Sequence, residues 1–150
     1  MKIAYFLGIF FPHPGGVQIQ THNIANTIIK MGHKIDFFLL NKTNVKNNLY
    51  KTIIINKLII SFFFYLDFFF KLNLSILFRL YLKYFLKIEQ YDVFHFHFLN
   101  HKMLFILKNL KYFNKKIIVT FHGADIQINR KINYGFRIDK SYDISLKKNN

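Results

Sequence analysis

Residues 2–40 read KIAYFLGIFFPHPGGVQIQTHNIANTIIKMGHKIDFFLL, and the spacing of their apolar positions changes twice along that stretch. Ile3 to Leu7 is an unbroken apolar run closed by Gly8. A strand covered on both faces of a parallel sheet has that composition, because neither side meets water. Phe11-Pro12-His13-Pro14-Gly15-Gly16 is rich in turn-forming residues. From Val17 to Met31, the residues Ile24, Ala25, Ile28 and Met31 return at helical spacing, and Gly32 suits the left-handed residue that stops a helix. His33-Lys34 leads into a second apolar strand, Ile35 to Leu40, so the stretch reads as one β-loop-α-β unit.

Downstream, Asn41 to Asn48 is a polar segment with four Asn and predicts a surface loop, and Thr52 to Ile55 suits a short third strand. Leu58 to Ile88 is rich in Phe, Leu and Tyr, with Lys71, Ser75, Arg79, Lys83 and Lys87 at every fourth position. Residues four apart share one face of a helix, so the stripe predicts helix for the second half of this region. Tyr91 to His97 predicts a strand, Lys102 to Lys111 a helix and Lys116 to Thr120 another strand, with Phe121-His122-Gly123-Ala124-Asp125 a loop at its carboxyl end. Strands alternating with helices predict an α/β fold, a Rossmann-like parallel sheet flanked by helices and joined by right-handed crossovers. Ligands of such sheets sit at the carboxyl ends of the strands, where the Gly15-Gly16 and His122-Gly123 loops fall.

The chain has 150 residues, a length that fits one domain, and its 20 Phe and 9 Tyr supply enough apolar surface to argue against disorder. It has no Cys, which excludes disulfide frameworks, Cys-ligated zinc and thiol chemistry. The net charge of +15 is compatible with an anionic partner. Abundant Lys, Asn, Ile and Phe together also fit the codon bias of an AT-rich genome. Successive thirds carry +4, +3 and +8, unlike a nucleic-acid-binding arm. The N-terminus is not a signal peptide, since Pro12 to Gly16 interrupt the apolar start too early. The most apolar stretch, Leu58 to Phe70, contains Asp67 and falls short of the ~20 residues that span a bilayer.

Two glycines after a strand let a backbone approach a ligand, and a helix N-terminus behind them offers free N–H groups and partial positive charge. The same dipeptide suits a tight β–α turn with no ligand, and the spacing from Gly8 does not make a dinucleotide-binding fingerprint. His122, beside Gly123 at a strand end, is an imidazole with open space around it, able to hydrogen-bond or carry a proton near neutral pH. Asp125 follows three residues on. A structural His in a turn has the same appearance. His95 and His97 lie on one strand face, but without a Cys or clustered carboxylates they suit core packing and strand-end hydrogen bonding better than metal.

Lys2-Ile3-Ala4-Tyr5, Pro12-His13-Pro14-Gly15-Gly16-Val17, Met31-Gly32-His33-Lys34-Ile35, Tyr91-Asp92-Val93-Phe94-His95-Phe96-His97 and Ile118-Val119-Thr120-Phe121-His122-Gly123-Ala124-Asp125 occur in the order seen in family 4 glycosyltransferases. From Lys2 to Asp125 the chain resembles that family, although Thr43 to Ile88 carries no motif of its own. The resemblance implies one half of a GT-B architecture, in which two Rossmann-like domains face a cleft. It implies transfer of a sugar, with retained anomeric configuration, from a nucleotide-sugar donor to a glycan or lipid-linked acceptor in envelope polysaccharide synthesis. Residues 1–150 would be the N-terminal, acceptor-side domain. Gly15 and Gly16 would line the cleft near the donor phosphates, with Val17, Gly123 and Asp125 also binding donor or acceptor, and His122 would be the catalytic residue beside the transferred sugar. No metal or other cofactor is expected, because preorganised protein groups meet the phosphate charge.

The resemblance breaks at the family's second domain, whose basic residues and paired glutamates have no counterpart: Glu89 is the only Glu. The expectation is a truncated enzyme that lacks its C-terminal donor-binding domain and is inactive alone. The alternative is a non-catalytic half that pairs with a separately encoded C-terminal domain. Lys71, Arg79, Lys83 and Lys87, among Phe and Tyr, suggest an anionic membrane face and a cytoplasmic protein peripheral to the inner surface of the plasma membrane, while an ordinary amphipathic helix has the same pattern. The pI of 10.0 meets the first test for nucleic-acid binding, but no recognised motif follows.

Overall fold

The computed structural model of the chain describes residues 1–8, 15–41, 49–70, 74–97 and 100–121. The opening unit is β1 (Lys2–Leu7), α1 (Gly16–Lys30) and β2 (Lys34–Leu39). Gly32 has φ +84, the left-handed stop that its position demands, and Met31 and Gly32 close the helix by donating to Thr27 and Ile29 carbonyls. β3 (Lys51–Ile54), α2 (Lys57–Phe70), α3 (Ser75–Tyr84), β4 (Val93–His97), α4 (His101–Leu110) and β5 (Lys116–Thr120) follow, with one-turn 3-10 segments at Ile88–Gln90 and Lys111–Phe113.

All five strands are parallel, in the order β3-β2-β1-β4-β5. β1 lies at the centre, with Ile3, Tyr5 and Leu7 opposite Ile35, Phe37 and Leu39 of β2 and Val93, His95 and His97 of β4. Its two faces feed two cores. Tyr5 and Leu7 join Ala25 of α1, Phe37 and Tyr50 on one side. Ala4 and Phe6 join Phe38, Phe94 and Phe96 under α2, α3 and α4 on the other. There Phe6 stacks between Phe38 and Phe96, at centroid separations of 5.0 and 4.6 Å, so three strands are tied by aromatic contact as well as by hydrogen bonds.

The region from Leu58 to Ile88 differs from expectation. Helix fills its first half as well as its second, and α2 and α3 are separate helices. α2 reads KLIISFFFYLDFFF, apolar nearly all round, so it lacks the polar stripe that reveals a helix in sequence. The fourfold stripe is not one helical face either: Lys71 lies outside the described residues, and Lys87 lies beyond α3 with φ 50. Towards the amino edge of the sheet, Lys2 donates from its amide to Asp92 at 2.7 Å and from Nζ to Gln90 at 2.7 Å, and lies 3.4 Å from Asp36. Tyr91 donates to Asp36 at 2.6 Å. Burial, then this hydrogen bond, pushes the Tyr91 phenol far up, so it stays neutral.

Candidate functional site

The strand order reverses between β1 and β4: the helix after β1 and the helix after β4 cover opposite faces of the sheet. In a parallel sheet that divergence opens a crevice at the carboxyl edge. Gly8 ends β1 on one side of it, and Asn100 precedes α4 on the other. A Cβ placed on Gly8 would come within 3.3 Å of Asn100 Nδ2, so the two sides meet closely there.

α1 and α4, which follow β1 and β4, start differently beside this crevice. Asn100 caps α4, its Oδ1 accepting from the Met103 amide at 3.0 Å. Gly15 precedes α1 with no side chain to cap it, and the first turn of α1 has no acid. The N–H groups of Gly16, Val17 and Gln18 therefore carry the positive end of a 15-residue helix without a capping side chain.

Neither glycine of the pair is required by the backbone. Gly15 is extended, at φ −113 and ψ 157, and Gly16 is the first helical residue. A Cβ on Gly16 would meet nothing within 4 Å, and one on Gly15 would meet only the end of the Gln18 side chain. Among the described residues nothing demands glycine at either position. Among those residues the pair leaves open space beside the start of a helix that Gly15 does not cap, an arrangement that suits phosphate or carboxylate oxygens.

α1 is held to β4 behind this opening. Thr21 donates its hydroxyl to the Val17 carbonyl at 2.7 Å, which leaves its oxygen to accept from His97 Nδ1 at 3.2 Å. His97 is fully buried, 4.1 Å from the His95 ring and 4.9 Å from the Tyr5 ring. His95 Nε2 meets Thr120 Oγ1 at 2.8 Å, joining the middle of β4 to the carboxyl end of β5. Both imidazoles thus serve packing and strand-end hydrogen bonding, and among the described residues no three His, Cys, Asp or Glu converge as a metal site would require. Thr21 and Asn100 were not among the sequence candidates. Thr21 is 76 residues from His97, and only the closed sheet brings them together.

Gly15, Gly16 and Val17 therefore gather at the crevice, while His122, Gly123 and Asp125 lie outside the described residues. Phe121, half exposed after the end of β5, is the last described residue before them. The basic candidates do not gather. Arg79 is half-buried with its guanidinium 4.6 Å over the Tyr112 ring, Lys83 pairs with Glu89 at 3.0 Å, and Lys87 is exposed past the end of α3. On the far side of the sheet a pocket of about 410 Å³ is lined by Asp67, Ser75, Arg79, Phe105, Lys108 and Asn109 among others. Arg79 Nε and Asn109 Oδ1 are buried and unpartnered there, out of reach of a ligand in the pocket.

A family model described as Glycosyltransferase Family 4 matches residues 14–146. No curated protein matches the chain.

Proposed function

The chain belongs to glycosyltransferase family 4, and from that premise we propose that it is the acceptor-side domain of a retaining glycosyltransferase using a nucleotide-sugar donor. The acceptor is a glycan or lipid-linked sugar of an envelope polysaccharide, and a separate donor-binding domain completes the site. The observation that carries this reading is the uncapped N-terminus of α1 at Gly15 and Gly16, open at the β1/β4 switch point. Backbone N–H groups there suit the donor's diphosphate, so the site needs no metal to meet that charge. His122, two residues past the carboxyl end of β5, is the residue assigned to the transferred sugar.

The test is sugar transfer by this chain mixed with a family 4 donor-binding domain, using a panel of nucleotide sugars and lipid and polysaccharide fractions as acceptors. Labelled product with retained configuration is expected, falling about 100-fold or more in His122→Ala. Undiminished transfer by H122A, or no transfer from any donor while both domains stay folded and associated, overturns the reading.

A further inference from the structure

Asp67 is the one acid in α2, a helix otherwise built of aromatic and aliphatic residues with Lys57 and Ser61. Among the described residues no helix is long and apolar enough to cross a membrane. A lone carboxylate in such a helix needs water or a partner. Asp67 lines the pocket of about 410 Å³ that α2 shares with α3 and α4, where Arg79 and Lys108 are the cations. Among the described residues neither cation is paired with a carboxylate, whereas Lys2 takes Asp36 and Lys83 takes Glu89.

The guanidinium of Arg79 is held 4.6 Å over the Tyr112 ring, and its Nε is buried, so a ligand reaches it only through the Nη groups. That end of a guanidinium matches the two oxygens of a carboxylate. Lys108, exposed on α4, adds a second positive charge. Ser75 and Ile76, at the start of α3, also line the pocket, and the first turn of that helix has neither a capping side chain nor an acid. Its positive end therefore favours an anion as well.

Charge and wall composition narrow the ligand. Two cations and one carboxylate leave the pocket at a formal +1, which a monoanion balances. A diphosphate would exceed that charge and be repelled by Asp67. An ionised Asp67 accepts hydrogen bonds and donates none, so the monoanion should also bring hydroxyl groups. Phe105 and Ile76 supply an apolar wall for the C–H face of a sugar ring, and the volume is that of a small-molecule site. One carboxylate, several hydroxyls and an apolar ring face on one compact molecule describe a uronic acid.

We propose that this pocket binds a sugar carboxylate, with Arg79 and Lys108 on the carboxylate and Asp67 on the ring hydroxyls. The pocket and α1 lie on opposite faces of the sheet, so the site is separate from the β1/β4 crevice and does not rest on the function proposed for it.

The full chain is titrated with glucuronate at fixed ionic strength while backbone amide resonances are followed, with glucose as the neutral probe and acetate as the probe without hydroxyls. Glucuronate is expected to shift Ser75, Arg79, Lys108 and Asn109 and to bind about tenfold or more tighter than either probe. Arg79→Gln should weaken it about tenfold, and Lys108→Gln, at an exposed position, about threefold, at unchanged melting temperature. Asp67→Asn raises the pocket to +2 and should move two ligands in opposite directions, strengthening acetate and weakening glucuronate. A trigalacturonate arm separates a sugar acid carried in a polymer from a free one by which of the two binds tighter. Equal binding of glucuronate and acetate, unchanged affinity in both R79Q and K108Q, or shifts at Gly15 and Gly16 in place of the pocket overturn the proposal.

Discussion

Gly16 and Gly32 make opposite demands on a side chain. Gly32 sits at φ +84, where any other residue is strained, so Gly32→Ala should cost about 1–2 kcal/mol in chemical denaturation. Gly16 is helical with open space before it, so Gly16→Leu should leave stability within about 0.5 kcal/mol while obstructing an anion at the α1 N-terminus. A loss of stability in G16L matching that of G32A would mean that the pair serves the turn. Tyr5 gives a second contrast. Its hydroxyl is buried without a partner, so Tyr5→Phe should be neutral or stabilising by up to about 1 kcal/mol. Burial pushes the Tyr5 phenol up to about 12, while tyrosines of the unfolded chain ionise near about 10. Because the folded value is raised, this contribution is whole below about pH 10 and disappears as the pH climbs to about 12. Alkaline denaturation curves should show that fall, less steep in Y5F. Gly32 was legible in sequence because a helical period ended beside it. The Tyr5 environment was not, since Tyr5, His95 and His97 become neighbours only through the β1–β4 register.

Elements with a clear period were read closely and those without were not. α1, β2 and α4 fall within one or two residues of expectation because apolar positions alternate with polar ones in the helices and Asp36 alone interrupts the apolar run of the strand. α2 escaped because both of its faces are apolar, leaving no contrast to mark a helix. The basic residues of 71–87 misled for a related reason: equal spacing in sequence runs on past Tyr84, where α3 ends, so Lys87 lies off the helix that carries Arg79 and Lys83. The junction of α1 with β4 was also illegible, although it sets where the α1 N-terminus stands. Thr21→Val should remove the bond to buried His97 and cost about 1–3 kcal/mol, with Thr21→Ser recovering most of it. Equal stability of T21V and the parent chain would show that the 3.2 Å contact contributes nothing.

At the scale of the whole molecule, the alternation of strands and helices was enough to reach an α/β parallel sheet, and the order β3-β2-β1-β4-β5 then puts a crevice between β1 and β4. Half of the candidate site stands at that crevice, in Gly15, Gly16 and Val17, and the half in His122, Gly123 and Asp125 lies beyond the described residues. In the proposed function the crevice receives the phosphate end of a nucleotide sugar. Titrating the chain with nucleoside diphosphate sugars while following backbone amide resonances tests it most directly. Shifts are expected to centre on Gly15, Gly16, Val17 and Asn100, the N-cap of α4. Shifts centred instead on Arg79 and Lys108 in the pocket beneath α2, or no shift at the α1 N-terminus at saturating ligand, would contradict it.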